Sequence, residues 1–100
     1  MERLYYHGID VRYEQELVFG NEQIAPDFTF EGEDGQLFVW EHLGMMDDPD
    51  YAARNYNKLF KYYKHGFVLG RNLIVSFDRD GMIDMKQIDS IIKNEVIPRL

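Results

Sequence analysis

Residues 26–44 read Pro26-Asp27-Phe28-Thr29-Phe30-Glu31-Gly32-Glu33-Asp34-Gly35-Gln36-Leu37-Phe38-Val39-Trp40-Glu41-His42-Leu43-Gly44. Two stretches rich in aromatic and β-branched residues flank a turn-rich centre, so residues 24–30 and 37–42 are expected to pair as antiparallel strands. Period-two alternation puts Glu41 on the face of Leu37 and Val39, where a lone carboxylate is costly to bury and calls for a cation or a metal. Asp27 shares its face with Thr29, opposite Phe28 and Phe30. The parity of the loop decides whether the two acids meet. A two-residue Asp34-Gly35 turn sets Phe28 opposite Glu41 and throws Asp27 to the far face. A loop of three or five residues, with Gly35 left-handed, sets Asp27 directly across from Glu41. The odd loop is the expectation.

Working outward, residues 11–19 read as a preceding strand and residues 1–7 as the last turns of a helix closed by Gly8. Asp47, Asp48 and Asp50 surround Pro49 in an N-terminal capping cluster that starts a helix running to His65, before Gly66. Residues 72–77 form a short apolar run suited to a strand buried on both faces and reached by a parallel crossover. Asp84 precedes Gln87 in a capping-box arrangement, and Ile88, Ile91, Ile92 and Val96 continue at helical spacing towards Pro98. Asp78-Arg79-Asp80-Gly81 reads as a turn, and His7 and His65 sit beside helix-ending glycines in capping positions. The fold class is α/β, a mixed four-stranded sheet flanked by helices in the order αβββαβα.

On the central helix, a rotation of ~100° per residue groups Ala52, Tyr56, Leu59 and Tyr63 as the expected core stripe. Tyr51, Asn55, Lys58 and Tyr62 run along its flank, while Arg54, Lys61 and Lys64 point to solvent. Lys58 is the lysine best placed to reach a site at the sheet edge.

The chain has 100 residues, 45% of them hydrophobic and 15% aromatic, which suits one domain with a single modest core and argues against disorder. Cysteine is absent, so there is no disulfide and no Cys-rich zinc site, and a reducing, cytoplasmic location is expected. No apolar run approaches the ~20 residues of a membrane span. The net charge of -7 argues against generic duplex binding. Its distribution is uneven: residues 1–50 hold 13 acids and two bases, residues 51–100 five acids and nine bases. Carboxylates facing cations in one domain suit a site that holds a metal beside groups that meet phosphate.

Pro26-Asp27, Glu41-His42-Leu43 and the helical Lys58-Leu59-Phe60-Lys61-Tyr62 together resemble the PD-(D/E)XK nuclease superfamily, whose restriction-endonuclease-like core is a mixed sheet in αβββαβ order. The resemblance covers most of the chain. Leu43 stands where the motif has lysine, but the helix is similar to the QLxxY motif of the RecB-like branch, with Lys58 in the glutamine position, and the family tolerates migration of its lysine to that helix. The stretch from Trp40 to Tyr51 looks like the nuclease-like domain attached to certain superfamily I helicases.

The resemblance implies that Asp27 and Glu41, with the backbone carbonyl of His42, hold Mg²⁺ or Mn²⁺, that Lys58 completes the catalytic set, and that Glu14 and Tyr62 lie nearby. It implies DNA as substrate and the remainder of a helicase-like DNA-repair protein as partner. With a helix that starts uncapped at residue 1, it also implies that the chain is a piece of that larger protein. The competing expectation, from Leu43 and the acidic surface, is an inactive nuclease-like module that binds nucleic acid or a protein partner.

Overall fold

The computed structural model describes residues 8–100, so the helix expected over residues 1–7, with the capping role of His7, lies outside the described residues. The described chain is mixed α/β. A five-stranded sheet has the order β1-β4-β5-β6-β7, from β1 (Arg12–Tyr13), β4 (Phe28–Glu31), β5 (Leu37–Leu43), β6 (Leu73–Arg79) and β7 (Met82–Ile83). A separate two-stranded ribbon pairs β2 (Leu17–Phe19) with β3 (Glu22–Ile24).

The expected four-stranded sheet is therefore corrected at three places. Glu14 takes a left-handed φ of 49° and ends β1, so the strand expected over residues 11–19 splits into β1 and β2. Ala25-Pro26 separates β3 from β4, because proline has no N–H to offer a ladder. Asp80 and Gly81, with φ of 53° and 75°, make a two-residue hairpin that folds β7 back onto β6.

The central hairpin has the expected parity. Phe28 pairs with Trp40 and Glu31 with Leu37, leaving residues 32–36 as the connection. Gly32 N–H donates to the Gln36 carbonyl at 2.8 Å, Gly35 sits at φ 79°, and the Asp34 carboxylate accepts from Gln36 N–H at 3.0 Å. Extending the register by one step sets Asp27 across from Glu41. A side chain at Gly32 would be crowded: its Cβ would lie 2.9 Å from Asp34 Oδ1 and 3.2 Å from the Arg99 carbonyl, so both neighbours would have to shift.

β5 pairs with β6 in parallel, Trp40 beside Ile74 and His42 beside Ser76. The crossover between them carries α1 (Pro49–Lys64), capped by Asp48, whose side chain accepts from Asp50 and Tyr51 N–H. α2 (Met85–Ile91) starts at Asp84 and continues as a π turn over Ile92–Val96 and a 3-10 turn over Ile97–Arg99. The expected capping box is half formed. Asp84 accepts from Lys86 and Gln87 N–H, but the Gln87 amide instead pairs with both the N–H and the carbonyl of Phe77.

Two apolar layers close the sheet. Phe28, Phe30, Phe38, Trp40 and Ile74 pack on Ile88, Ile91, Ile92 and Val96. On the other face, Val39 and Leu73 pack with Tyr62 of α1, Phe67, and Ile24 from the ribbon. The expected stripe on α1 is rotated. Tyr56 and Tyr63 are 62% and 61% exposed, while Tyr62 is fully buried. Asn55, Lys58, Leu59 and Tyr62 form the inward side, because that rotation carries the Tyr62 hydroxyl and the Lys58 ammonium to Glu41. No helix among the described residues is long and apolar enough to cross a membrane.

Candidate active site

Glu41 is 3% exposed in the middle of the sheet, on the face covered by α1. An ionised carboxylate in that position needs donors, and three converge on Oε1: Tyr62 OH at 2.5 Å, Lys58 Nζ at 2.8 Å and Asp27 N–H at 3.2 Å. Two come from α1 and the third from the residue just before β4. Tyr62 and Lys58 lie four residues apart on α1, one turn, so both side chains descend on the same spot. Asp27 arrives from the cross-strand position that the hairpin parity fixes.

Asp27 is half-buried, and its Oδ2 accepts from the backbone N–H of His42 at 2.8 Å. Thus each acid is held by the backbone of, or next to, the other. Lys58 Nζ also donates to the Ala25 carbonyl at 2.9 Å, which ties α1 to the chain just before Pro26. Among the described residues, no protein donor reaches Glu41 Oε2 or Asp27 Oδ1.

Burial pushes the Glu41 carboxyl above its ordinary range, opposed by hydrogen bonds from Lys58 and Tyr62 and by the Lys58 charge, and reinforced by the charge of Asp27. The Tyr62 hydroxyl is pushed up first by burial and then by the Glu41 charge, so it stays protonated and donates. Asp27, Glu41, Lys58 and Tyr62 are brought together. The expected neighbour Glu14 is exposed; its N–H donates to the Asp27 carbonyl at 3.2 Å, and its carboxylate enters none of the described bonds at Asp27 or Glu41. Leu43, two residues beyond Glu41 on the same face, is 2% exposed and packed as core. Lys61 and Lys64 are both exposed as expected, and the Lys64 ammonium also pairs with Glu22 Oε1 at 2.7 Å, beside His65 Nε2 at 3.1 Å.

On the opposite face, a polar chain was not foreseen from the sequence. Trp40 Nε1–H donates to Ser76 Oγ at 2.9 Å, Ser76 Oγ lies 2.7 Å from His42 Nδ1, and His42 Nε2 lies 2.6 Å from Asp78 Oδ1. Facing a carboxylate that can only accept, Nε2 carries a proton towards Asp78, and the Ser76 hydroxyl can donate to or accept from Nδ1 while it accepts from Trp40. The contact with His42 holds the Asp78 carboxyl below its ordinary range. This order matches that of a Ser-His-Asp hydrolase, but Ser76 is 0% exposed and cannot meet a substrate. The chain anchors the side chain of His42, whose backbone N–H holds Asp27. Its signal in the sequence was the period-two placement of Ser76 and Asp78 on the Ile74 face.

Among the described residues, no group of three or more His, Cys, Asp or Glu gathers tightly enough to hold a metal. The available set is two carboxylates, each with one oxygen that no donor among the described residues reaches. That suits a hard dication, which takes one or two carboxylates and completes its shell with water and substrate phosphate. Beside the site, Gln23, Arg54, Asn57, Lys58 and Lys61 line a shallow groove of about 300 Å³. Compared with known proteins, the chain matches no family model, no curated protein and no solved structure.

Proposed function

We propose that this domain is a metal-dependent phosphodiesterase of the restriction-endonuclease-like kind, acting on DNA as part of a larger helicase or DNA-repair protein. The observation that carries the reading is the convergence of Asp27, Glu41 and Lys58, from three elements, on one buried point beside a cationic groove. Asp27 Oδ1 and Glu41 Oε2 would hold Mg²⁺ or Mn²⁺. A bound dication supplies an activated water and neutralises charge on the attacked phosphate. Lys58 keeps a positive charge at the boundary between Glu41 and the groove, where it meets a phosphate oxygen as charge builds. Tyr62 fixes the Glu41 rotamer by holding Oε1, and His42 N–H fixes Asp27 in the same way. Titration calorimetry with Mn²⁺ is expected to give heat with the wild-type chain and none with Asp27→Ala. Cleavage of labelled DNA in Mg²⁺ is expected with wild type and lost in Asp27→Asn.

A second reading, an inactive module of the same fold, is favoured by Leu43 in the motif position and by the Lys58 ammonium resting on Glu41, which makes a self-contained ion pair. Absence of both Mn²⁺ heat and cleavage, with the fold intact, selects it.

A further inference from the structure

We infer that the outer side of α1 is a docking track for single-stranded nucleic acid, with bases on an aromatic stripe and phosphates on an adjoining cationic row that leads to Lys58. The inference deepens the phosphodiesterase reading by naming the form of its substrate, and it rests on that reading for what happens at the end of the track.

Three large rings stand in solvent on one helix face: Tyr56 at 62%, Phe60 at 73% and Tyr63 at 61% exposure. At ~100° per residue they fall within a sector of about 60°. Asn57, Lys61 and Arg54 occupy the next sector round the helix, and Lys58 the one after, at the edge of the buried side. Going round α1, the order is aromatic stripe, cationic row, Lys58, Glu41. The groove between α1 and the β2–β3 ribbon is lined by that cationic row and by Gln23, with no acid among its lining residues.

Charge selects the occupant. The chain carries -7 overall, yet between Asp50 and Asp78 it has no acidic residue, while Arg54, Lys58, Lys61, Lys64 and Arg71 all fall there. On α1 itself, Lys64 is engaged by Glu22 and Lys58 by Glu41, which leaves Arg54 and Lys61 as the outward cations of the helix. An apolar stripe alone would suit many proteins, but a stripe bordered by cations on a strongly anionic molecule suits a polyanion with flat faces. Aromatic rings give each base a stacking platform, and cations follow the phosphates. A duplex buries its base faces in its own stack, so the rings gain nothing from it.

The test is fluorescence anisotropy on the full chain with a labelled oligothymidylate and a duplex of equal length, at low salt with EDTA so that nothing is cut. Single strand is expected to bind and duplex to bind at least ten-fold more weakly. Phe60→Ala and Tyr56→Ala are each expected to weaken single-strand binding by about five-fold or more and leave duplex binding unchanged. Lys61→Ala is expected to weaken both and to lower the salt slope for single strand by about 0.7. These residues are exposed, so circular dichroism melts of the variants should match wild type. Equal affinity for duplex, unchanged binding by the aromatic variants, or no binding by wild type overturns the track. The two readings fail separately: binding without cleavage on adding Mg²⁺ sinks the phosphodiesterase alone, whereas Mg²⁺-dependent cutting of duplex that the aromatic variants retain sinks the track alone.

Discussion

Lys58 Nζ on α1 lies 2.8 Å from Glu41 Oε1 on β5, a contact between a side chain one-third exposed and one almost fully buried. The pair joins the helix to the sheet at the point where the two candidate metal ligands meet. Among the described residues, removing the cation leaves a buried carboxylate with Tyr62 and the Asp27 N–H as its remaining donors. Breaking a buried pair costs about 3–5 kcal/mol, and the solvent access of Lys58 reduces that. Lys58→Met is therefore expected to lower stability by about 1–3 kcal/mol in urea denaturation. Adding Glu41→Gln should restore much of the loss; a double variant no more stable than Lys58→Met would show that the pair is not the cause.

The Glu41 carboxyl is raised above its ordinary value of 4.5, chiefly by burial. A raised acid binds its proton more tightly in the folded state. Its contribution to stability is thus fully present below about pH 4.5 and is lost as pH rises through the folded value. Glu41→Gln removes that titration. Subtracting its unfolding free energy from that of wild type across a pH series should give a difference that falls as pH rises above 4.5. A flat or rising difference refutes the assignment.

Leu43→Lys places a lysine where the nuclease pattern that the sequence resembles has one, at a position that is 2% exposed and packed as core. The new ammonium would enter apolar surroundings, although Glu41 lies two residues away on the same face. Destabilisation of several kcal/mol is expected, with no gain in cleavage. A stable Leu43→Lys chain with higher Mg²⁺-dependent activity would show that the site is built around the motif position and not around Lys58.

Ser76→Ala removes the hydroxyl that joins Trp40 Nε1–H to His42 Nδ1 inside the core. Leaving these groups unpaired is expected to cost about 1–3 kcal/mol. Because His42 N–H holds Asp27, the same variant should weaken Mn²⁺ binding measured by calorimetry. Weaker binding with Asp27 untouched separates this relay from a loss of stability alone.

The hairpin, the Asp48 cap and the crossover to β6 were legible in the sequence because each rests on local rules: alternation, a proline at the first helical turn, and a short apolar run after a helix. The parity argument for Asp27 and Glu41 was also local, since the chemistry of a shared face admits an odd loop and excludes a two-residue turn. Single residues then overrode the pattern. Glu14 at φ 49° and Pro26 broke two expected strands into four short ones, and their effect depends on where the ends could pair. The rotation of α1 was decided by tertiary structure alone. Hydrophobic spacing favoured Tyr56 and Tyr63 as core, but a buried Glu41 needs donors more than the core needs two further rings. The helix therefore turned Tyr62 and Lys58 inward and left the other aromatics in solvent. The Trp40-Ser76-His42-Asp78 chain was hidden for the same reason. Its members lie on two strands whose parallel register is set by packing of the whole sheet, and periodicity within one strand carries no information about its neighbour across the sheet.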